Sequence, residues 1–265
     1  MCLILLSYHS HSHYRLVMAA NRDEFYDRPT APADFWEDEP NVLAGRDLKY
    51  GGTWLGITKT GRLAALTNFR NPASRKNCAL SRGHLVSDFL TCMDKPFKYY
   101  QALVTKANNY NDFSLLFGNQ NQIHFMSSQS GQFLNLTAGT YGLSNHLLNT
   151  PWPKVKRGRD ALRHIISNGG EICPEAIFEI LTDQKCPDDE LLPDTGLGLE
   201  WERILAPIFI TSSVYGTRSS TVLLIDSENK VTFIERSYHD RDPGQSTEKK
   251  FDFQLNSITQ PTTYS

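Results

Sequence analysis

The chain has 265 residues, of which 40% are hydrophobic and 21% are charged, and its formal net charge at pH 7 is −2. This composition is typical of a globular protein with a substantial core. The balanced charge argues against a dedicated nucleic-acid surface and against a polybasic membrane surface. Length alone does not decide between one large domain and two small ones.

The cysteine pattern indicates a reducing environment. The five cysteines are odd in number and form no CxxC pair, so the pattern predicts no zinc site. The apolar run over residues 2–6 is too short for a signal peptide and lacks a basic region, and no stretch approaches the length of a membrane span. We therefore expect a soluble, cytoplasmic protein without a transmembrane segment, and its oligomeric state stays open.

Two apolar runs near the N-terminus, Leu3–Leu6 and Leu16–Ala20, predict a buried hairpin. Three alternating histidines, His9, His11 and His13, lie between them. Such histidines could bind a metal or haem, but no carboxylate or cysteine stands at ligand spacing. We favour a solvated turn.

A second hairpin is predicted from strands at Thr53–Thr58 and Arg62–Asn68, joined by a turn that ends at Gly61. Gly51 and Gly52 precede it and suggest a phosphate-binding loop. The Lys-Ser/Thr pair of a P-loop is missing, and no helix follows, so we reject that interpretation.

Four helices are predicted from apolar spacing and from Pro at first-turn positions. The first has Ser81 as its N-cap and buries residues at helical spacing as far as Met93. The others begin at Pro96, at Pro153 (ending at Ser167) and at Pro174 (ending at Thr182).

The remaining apolar runs predict four more short strands, Phe113–Phe117, Ile123–Met126, Thr221–Asp226 and Val231–Glu235. Strands and helices do not alternate regularly, which argues against a parallel Rossmann-type sheet. Two antiparallel sheets between two helical layers fit better. We expect one domain over residues 1–238 and a polar C-terminal tail over residues 239–265 with little to pack against.

Cys2 is the first candidate for chemistry. Removal of Met1 would leave it at the N-terminus, where its α-amine, with an ordinary pKa of about 8, can serve as general base for its own thiol. The alternative is that Cys2 is a small apolar residue at the start of a buried strand.

Polar residues also interrupt four strand ends, and each has a structural alternative as a turn residue or surface charge. They lie at Asn21–Glu24, Thr67–Asn68, Ser144–Asn145 and Tyr215–Thr221. Together with an N-terminal thiol they form a coherent set. Cations would lower the thiol pKa, a carboxylate would hold the α-amine, and amide groups would stabilise an oxyanion.

Six motifs in order resemble the NRDE family, also called the transport-and-Golgi-organisation protein 2 family, over the chain to about Ser237. They are Asn21-Arg22-Asp23-Glu24, Gly51-Gly52-Thr53-Trp54-Leu55-Gly56, Ala65-Leu66-Thr67-Asn68, Gly142-Leu143-Ser144-Asn145, Thr150-Pro151-Trp152-Pro153-Lys154 and Tyr215-Gly216-Thr217-Arg218-Ser219-Ser220-Thr221. That family is similar in turn to the cysteine N-terminal nucleophile hydrolases, which include bile-salt hydrolase, penicillin V acylase and acid ceramidase.

The resemblance implies a four-layer αββα sandwich and a catalytic set at matching positions. Those positions are Cys2, Arg22, Asp23, Asn68, Asn145 and Arg218. In the bile-salt enzymes two residues separate the arginine from the aspartate, whereas Arg22 and Asp23 are adjacent here. Neighbours on a strand point to opposite faces, so Arg22 and Asp23 can enter one site only if the strand ends or bulges there. Asn21 or Glu24 could otherwise take the place of Asp23.

Three functions remain open. The first is a hydrolase that cleaves a C–N amide bond of a small acyl or lipid-like substrate and requires no cofactor or metal. The second is a non-enzymatic carrier of haem, acyl-CoA or lipid, because family members are implicated in haem trafficking and lipid metabolism; Cys2, His9 or His146 could then bind haem. The third, a scaffold at a membrane surface, lacks an amphipathic anchor.

Overall fold

The structure is a computed structural model that describes residues 2–239 and 241–256. In chain order its strands are β1 (Cys2–Tyr8), β2 (Tyr14–Phe25), β3 (Thr30–Phe35), β4 (Val42–Asp47), β5 (Leu55–Thr58), β6 (Leu63–Asn68), β7 (Phe113–Asn119), β8 (Gln122–Ser127), β9 (Phe133–Asn135), β10 (Gly139–Leu143), β11 (Tyr215–Asp226), β12 (Lys230–Tyr238) and β13 (Ser246–Gln254). Its α-helices are α1 (Gly83–Thr91), α2 (Pro96–Lys106), α3 (Pro153–Ser167), α4 (Pro174–Leu181) and α5 (Leu199–Leu205).

The strands form two antiparallel sheets. The first has the order β10-β1-β2-β11-β12-β13, and the second runs in sequence order from β3 to β9. The hairpin β1–β2 therefore lies inside the first sheet, and the hairpin β5–β6 lies inside the second. Strand β1 lies between β10 and β2, but its first two residues pair with β2 only, because pairing with β10 begins at Ile4.

Three apolar clusters define the layers. Alternate residues of β1 and β2, such as Leu6 and Met18, face the second sheet and pack with residues such as Ile57. The opposite face of the first sheet packs on α3 and α4, and the outer face of the second sheet packs on α1 and α2. The predicted four-layer αββα sandwich is confirmed.

Some elements differ from the sequence prediction. Pro29 and Pro32 argue against a regular strand after Arg28, yet this segment contains β3, which is irregular between Ala31 and Asp34 and lies at the edge of its sheet. Helix α1 begins at Gly83 with Arg82, not Ser81, at the N-cap position. Met93 lies beyond the helix and is 94% exposed.

The predicted polar tail also needs correction. Residues 246–254 form β13, which pairs with β12 along its whole length and completes the first sheet. Its side chains alternate, and Phe251 and Phe253 pack against the inter-sheet core beside Phe35. Only these two residues of β13 are apolar, so the alternation of buried and exposed positions is hard to recognise in the sequence. Residues 257–265 of the predicted tail lie outside the described residues.

A close backbone contact joins the loop before β5 to the start of α1. A Cβ at Gly52 would lie 2.5 Å from the carbonyl carbon of Gly83, so only glycine fits there. The Thr53 amide donates to the Gly83 carbonyl at 3.2 Å. The Gly-Gly-Thr-Trp motif therefore fixes the beginning of α1 against the second sheet.

Within residues 2–239 and 241–256, no helix combines the length and apolar character that crossing a bilayer requires.

Glu235 provides a test of the inter-sheet packing. It is 2% exposed and accepts a hydrogen bond from the Ala33 amide at 2.6 Å. Burial raises the pKa of this carboxyl from 4.5 to about 7. The folded state thus binds the proton more tightly, so stability is full below pH 4.5 and is lost as pH rises through about 7.

We expect Glu235→Gln, which keeps the acceptor and does not ionise, to remove this pH dependence. Since each tenfold change in proton affinity equals about 1.4 kcal/mol, the gain over the wild type at pH 8 should be on the order of 3 kcal/mol. Urea unfolding at pH 5 and pH 8 measures it, with the exposed Glu228→Gln as control. Equal losses with pH in wild type and Glu235→Gln would contradict the prediction.

Candidate functional site

The antiparallel register of β1 and β2 places Cys2 directly opposite Arg22. Alternation along the strands turns Cys2 and Arg22 toward the same side as Ile4 and Ala20, which belong to the inter-sheet core. Arg22 is 5% exposed, and its guanidinium lies 4.2 Å from the centroid of the Trp54 ring, which belongs to the loop before β5. The thiol and the first arginine of the predicted set therefore share one face.

Cys2 and Arg22 line a cavity of about 280 Å³ at the end of the inter-sheet layer. Its wall also includes Asp23 and Asn68 from the predicted set. The further charged residues on the wall are Glu24, Arg28, Asp47, Arg75 and Arg82. The cavity thus brings four of the six predicted residues together.

Asn21 and Asp23 point away from the inter-sheet core, as strand alternation requires. The Asn21 amide nitrogen donates to the Leu181 and Ile208 carbonyls at 2.8 and 2.9 Å, and its oxygen accepts from Ser220 at 2.6 Å. These bonds join the first sheet to the segments that cover it. Asn21 is therefore a structural cross-link.

Asp23 follows Arg22, the β2 residue that pairs with Cys2, and it is 1% exposed. Its Oδ1 accepts a hydrogen bond from the Thr217 hydroxyl at 2.7 Å. Burial raises the pKa of Asp23, while the positive charge of Lys154 is the largest opposing influence. Arg22 and Asp23 therefore act from opposite faces of one strand, and the bulge that accompanies them lies in β11, between Thr217 and Ser219.

The buried charges behind Asp23 were missed as site residues. Lys154 is 2% exposed, and its Nζ donates to the Leu205 carbonyl at 2.9 Å. Burial lowers the pKa of Lys154 to about 8, although the Asp23 carboxylate opposes the change. Arg70 and Glu202 form a buried ion pair at 2.6 Å nearby. Lys154 belongs to one of the motifs that carried the family resemblance, where it follows Trp152 and Pro153. That position in a motif is the sequence feature from which Lys154 could have been selected.

Asn145 does not line the cavity within the described part of the chain. It is fully buried with φ of 56°, and its Nδ2 donates to the Asn68 carbonyl at 3.0 Å. Its own carbonyl accepts from the Arg70 amide at 2.7 Å. The amide of Asn145 therefore holds the end of β6, where Asn68 enters the cavity.

Arg218 is also absent from the cavity wall among the described residues. Its Nη1 donates to the carbonyls of Phe25 and Arg28, at 2.9 and 3.1 Å. It thereby fixes the turn after β2, from which Arg28 reaches the cavity. Its predicted role as direct support of the thiolate stays a prediction. The observed contacts connect Arg218 to the cavity only indirectly, through the turn that carries Arg28.

Arg82 and Trp54 are further cavity residues that sequence reasoning did not select. Arg82 donates to the Asp112 carbonyl at 2.9 Å, and burial lowers its pKa to about 10. Trp54 was quoted only as part of a motif, yet its ring supports Arg22 and covers Gly45. An arginine at a helix start carries little sequence signal, because such positions are usually solvated.

The pKa of the Cys2 thiol is raised, contrary to the expectation that neighbouring cations lower it. Burial is the largest cause and raises the pKa of Cys2, and the Asp23 carboxylate acts in the same direction. A backbone hydrogen bond with Asp23 and the charge of Arg22 oppose the rise. The pKa of the Cys2 thiol therefore lies above its ordinary value.

The two histidines considered as haem ligands are not among the described residues on the wall of this cavity. His9 is exposed at the opposite end of β1, with Nε2 3.2 Å from the Gln120 carbonyl oxygen. His146 packs between Phe69 and Trp152, and its Nδ1 lies 2.9 Å from the Thr150 hydroxyl. Among the described residues, no group of three or more His, Cys, Asp or Glu side chains could hold a metal ion.

With this geometry established, comparisons with known proteins identify the relatives. The family model described as Transport and Golgi organisation 2 matches residues 1–240. A Transport and Golgi organization protein 2 homolog from Bos taurus is 36% identical, over 97% of this chain and 100% of its own length. The Homo sapiens homolog is 34% identical with the same coverage.

Solved structures share the fold. A mutant conjugated bile acid hydrolase from Clostridium perfringens matches 98% of this chain and 99% of its own, with a TM-score of 0.53 and 10% identity. A second variant of that hydrolase matches 99% of this chain and 100% of its own, with a TM-score of 0.51 and 9% identity. At such identities the likeness shows the fold alone.

The contacts of Asn145 lead to a stability prediction. Asn145→Ala removes the donor to the Asn68 carbonyl and strains a backbone of positive φ, so we expect a loss on the order of 2–4 kcal/mol in urea unfolding. Asn145→Gly relieves the backbone strain only and should fall between Asn145→Ala and the wild type. Unchanged stability together with a large loss of Cys2 reactivity would instead assign Asn145 to the reaction.

Proposed function

The chain belongs to the Transport and Golgi organisation 2 family, and on that premise we propose that it is a cysteine N-terminal nucleophile amidohydrolase. The substrate would be a small acyl or lipid-like amide. The observation that carries the proposal is the position of Cys2 at the first residue of β1, opposite Arg22, on the wall of a cavity at the end of the inter-sheet layer. The hydrolase-like fold supports it.

In the proposed reaction, removal of Met1 frees the Cys2 α-amine, which accepts the thiol proton. The thiolate attacks the amide carbonyl carbon, and the Asn68 amide stabilises the oxyanion that forms. When the C–N bond breaks, the α-ammonium returns the proton to the leaving amine. Water then cleaves the thioester with the α-amine as base, releasing the carboxylic acid and the thiol. No cofactor takes part.

Buried charges would support the α-amine in this scheme. Asp23, placed one residue beyond the start of β1, would hold the α-ammonium, and Lys154 behind it would keep the Asp23 carboxylate ionised. Arg22 would orient the substrate from the inter-sheet face. Asn145 and Arg218 would position Asn68 and the Arg28 turn respectively.

The alternative is a non-enzymatic carrier of haem, acyl-CoA or lipid that uses the same cavity. Among the described residues of the cavity wall there is no histidine, so haem ligation there would depend on Cys2. The volume of about 280 Å³ also lies just below the range of about 300–1,000 Å³ for pockets that hold drug-sized ligands. Both observations argue against haem as the ligand of this cavity.

Intact mass and acylation test the proposal. Two forms are compared: one with Cys2 as first residue and one with a short N-terminal extension that blocks the α-amine. We expect p-nitrophenyl acetate to form an acyl-enzyme at Cys2 in the first form. The extension should slow acylation by about 10²–10⁴-fold, the usual contribution of a general base.

Cys2→Ala should abolish the adduct, whereas Cys186→Ala, at an exposed cysteine, serves as the matched control and should leave it unchanged. Equal acylation with a free and a blocked α-amine would refute the proposed base. An absence of acyl-enzyme, with ligand binding retained in Cys2→Ala, would favour the carrier.

A further inference from the structure

The charges on the cavity wall do not balance locally. Four arginines line it, but only Arg28 has an ion-pair partner there, namely Asp47 at 2.5 Å. Arg22, Arg75 and Arg82 form no ion pair with any described residue. The wall therefore presents three arginines without a carboxylate partner.

The acidic residues of the wall offset this charge only in part. Asp23 directs its carboxylate toward Thr217, on the far face of β2, and Asp47 is used by Arg28. Glu24 remains, and its Oε1 accepts a hydrogen bond from the Phe25 amide at 2.9 Å. The cavity consequently carries a net positive charge beside Cys2.

Arg22 gives independent evidence of a missing acceptor. Its Nη1 is buried and has no hydrogen-bond partner among the described residues. Arg22 as a whole is only 5% exposed, so solvent reaches little of it. The Trp54 ring stabilises the face of the guanidinium but accepts none of its in-plane N–H bonds. Buried donors are nearly always satisfied, so an external acceptor fits here.

Arg82 lies on the same wall, at the beginning of α1. Its Nη1 donates to the Asp112 carbonyl, a neutral acceptor, and the Glu24 carboxylate stabilises its charge from a distance without forming an ion pair. Burial lowers the pKa of Arg82 to about 10, a direction that an anionic ligand would reverse. Arg75 is exposed on the same wall. The N-terminus of the nine-residue helix α1 also contributes the partial positive charge of the helix dipole.

We propose that the cavity recognises an anionic group of the substrate, a carboxylate or a phosphate, through Arg82, Arg75 and Arg22. This inference rests on the proposed function in one respect, that the anion belongs to the amide that Cys2 attacks. Planar guanidinium groups bind both oxyanions through paired N–H bonds. The site would select an acyl group or amine that carries negative charge close to the scissile bond.

Two alkylating reagents separate charge recognition from thiol reactivity. Iodoacetate is anionic, and iodoacetamide is a neutral analogue of similar size. In both reactions the thiolate attacks the methylene carbon, a C–S bond forms, and iodide leaves. The rate ratio at Cys2, divided by the ratio at the exposed Cys173 and Cys186 of the same molecule, cancels reagent strength and measures preference for the anion.

We expect the normalised ratio to favour iodoacetate by about 10-fold in the wild type, the scale of one charge-assisted hydrogen bond. Arg82→Gln should remove most of this preference, and Arg75→Gln should remove part of it. Arg163→Gln, on the exposed face of α3, is the control and should retain it. A ratio near one in the wild type, or one that Arg82→Gln leaves unchanged, would overturn the proposal.

A direct titration covers the case in which Cys2 reacts with neither reagent, and it distinguishes the two anions. Inorganic phosphate and acetate are added separately, and the rise in unfolding temperature is followed. A saturable rise that Arg82→Gln abolishes supports the site, and the stronger anion identifies its class. No saturable rise in the wild type with either anion counts against it. An anion preference without any acyl-enzyme would leave this site standing and refute only the hydrolase.

Discussion

The hydrogen-bonded register between β1 and β2 is the constraint on which the whole site depends. It sets Cys2 opposite Arg22, and because side chains alternate, everything else follows from that pairing. The thiol and Arg22 enter the cavity between the sheets, whereas Asp23 enters the layer beneath the helices. A shift of one residue would exchange these environments and place the thiol among the helices.

The second requirement is that several charges remain buried without disrupting the fold. Asp23, Lys154, Arg70 and Glu202 lie together behind the start of β1. Desolvation there opposes the charged forms of Asp23, Lys154 and Arg70. Their mutual attraction and their bonds to backbone carbonyls offset part of that cost. Such an arrangement is expensive for stability alone, which is consistent with a functional reason for keeping it.

Much of the architecture followed from the sequence because apolar periodicity is strong in the elements that form the core. Helix α3 has the predicted bounds, and the two central hairpins were anticipated. Strand β13 was not, because only Phe251 and Phe253 mark its buried face. Cys2, selected for its position after Met1, and Arg22, Asp23 and Asn68, selected through motifs, line one cavity. Arg82 was missed because residues at the start of a helix are usually exposed to solvent.

The orientation of Asn145 could not be read from its motif. Its positive φ and its bond to the Asn68 carbonyl depend on how β6 and the segment after β10 meet, which are distant in sequence. The same holds for Arg218, whose carbonyl acceptors lie on a turn about 190 residues earlier. Local patterns specify which residue types are present, but long-range packing decides which atoms they reach.

The contact between Gly52 and Gly83 has a mechanical consequence. It attaches the arginine at the start of α1 to the second sheet, whereas Cys2 belongs to the first sheet. The two halves of the cavity are thus carried by separate layers, and the apolar side chains between those layers act as the spacer. A change in side-chain volume deep in that spacer would alter the width of the cavity without replacing any residue of its wall. Substitutions in the core would therefore change which ligands fit the cavity.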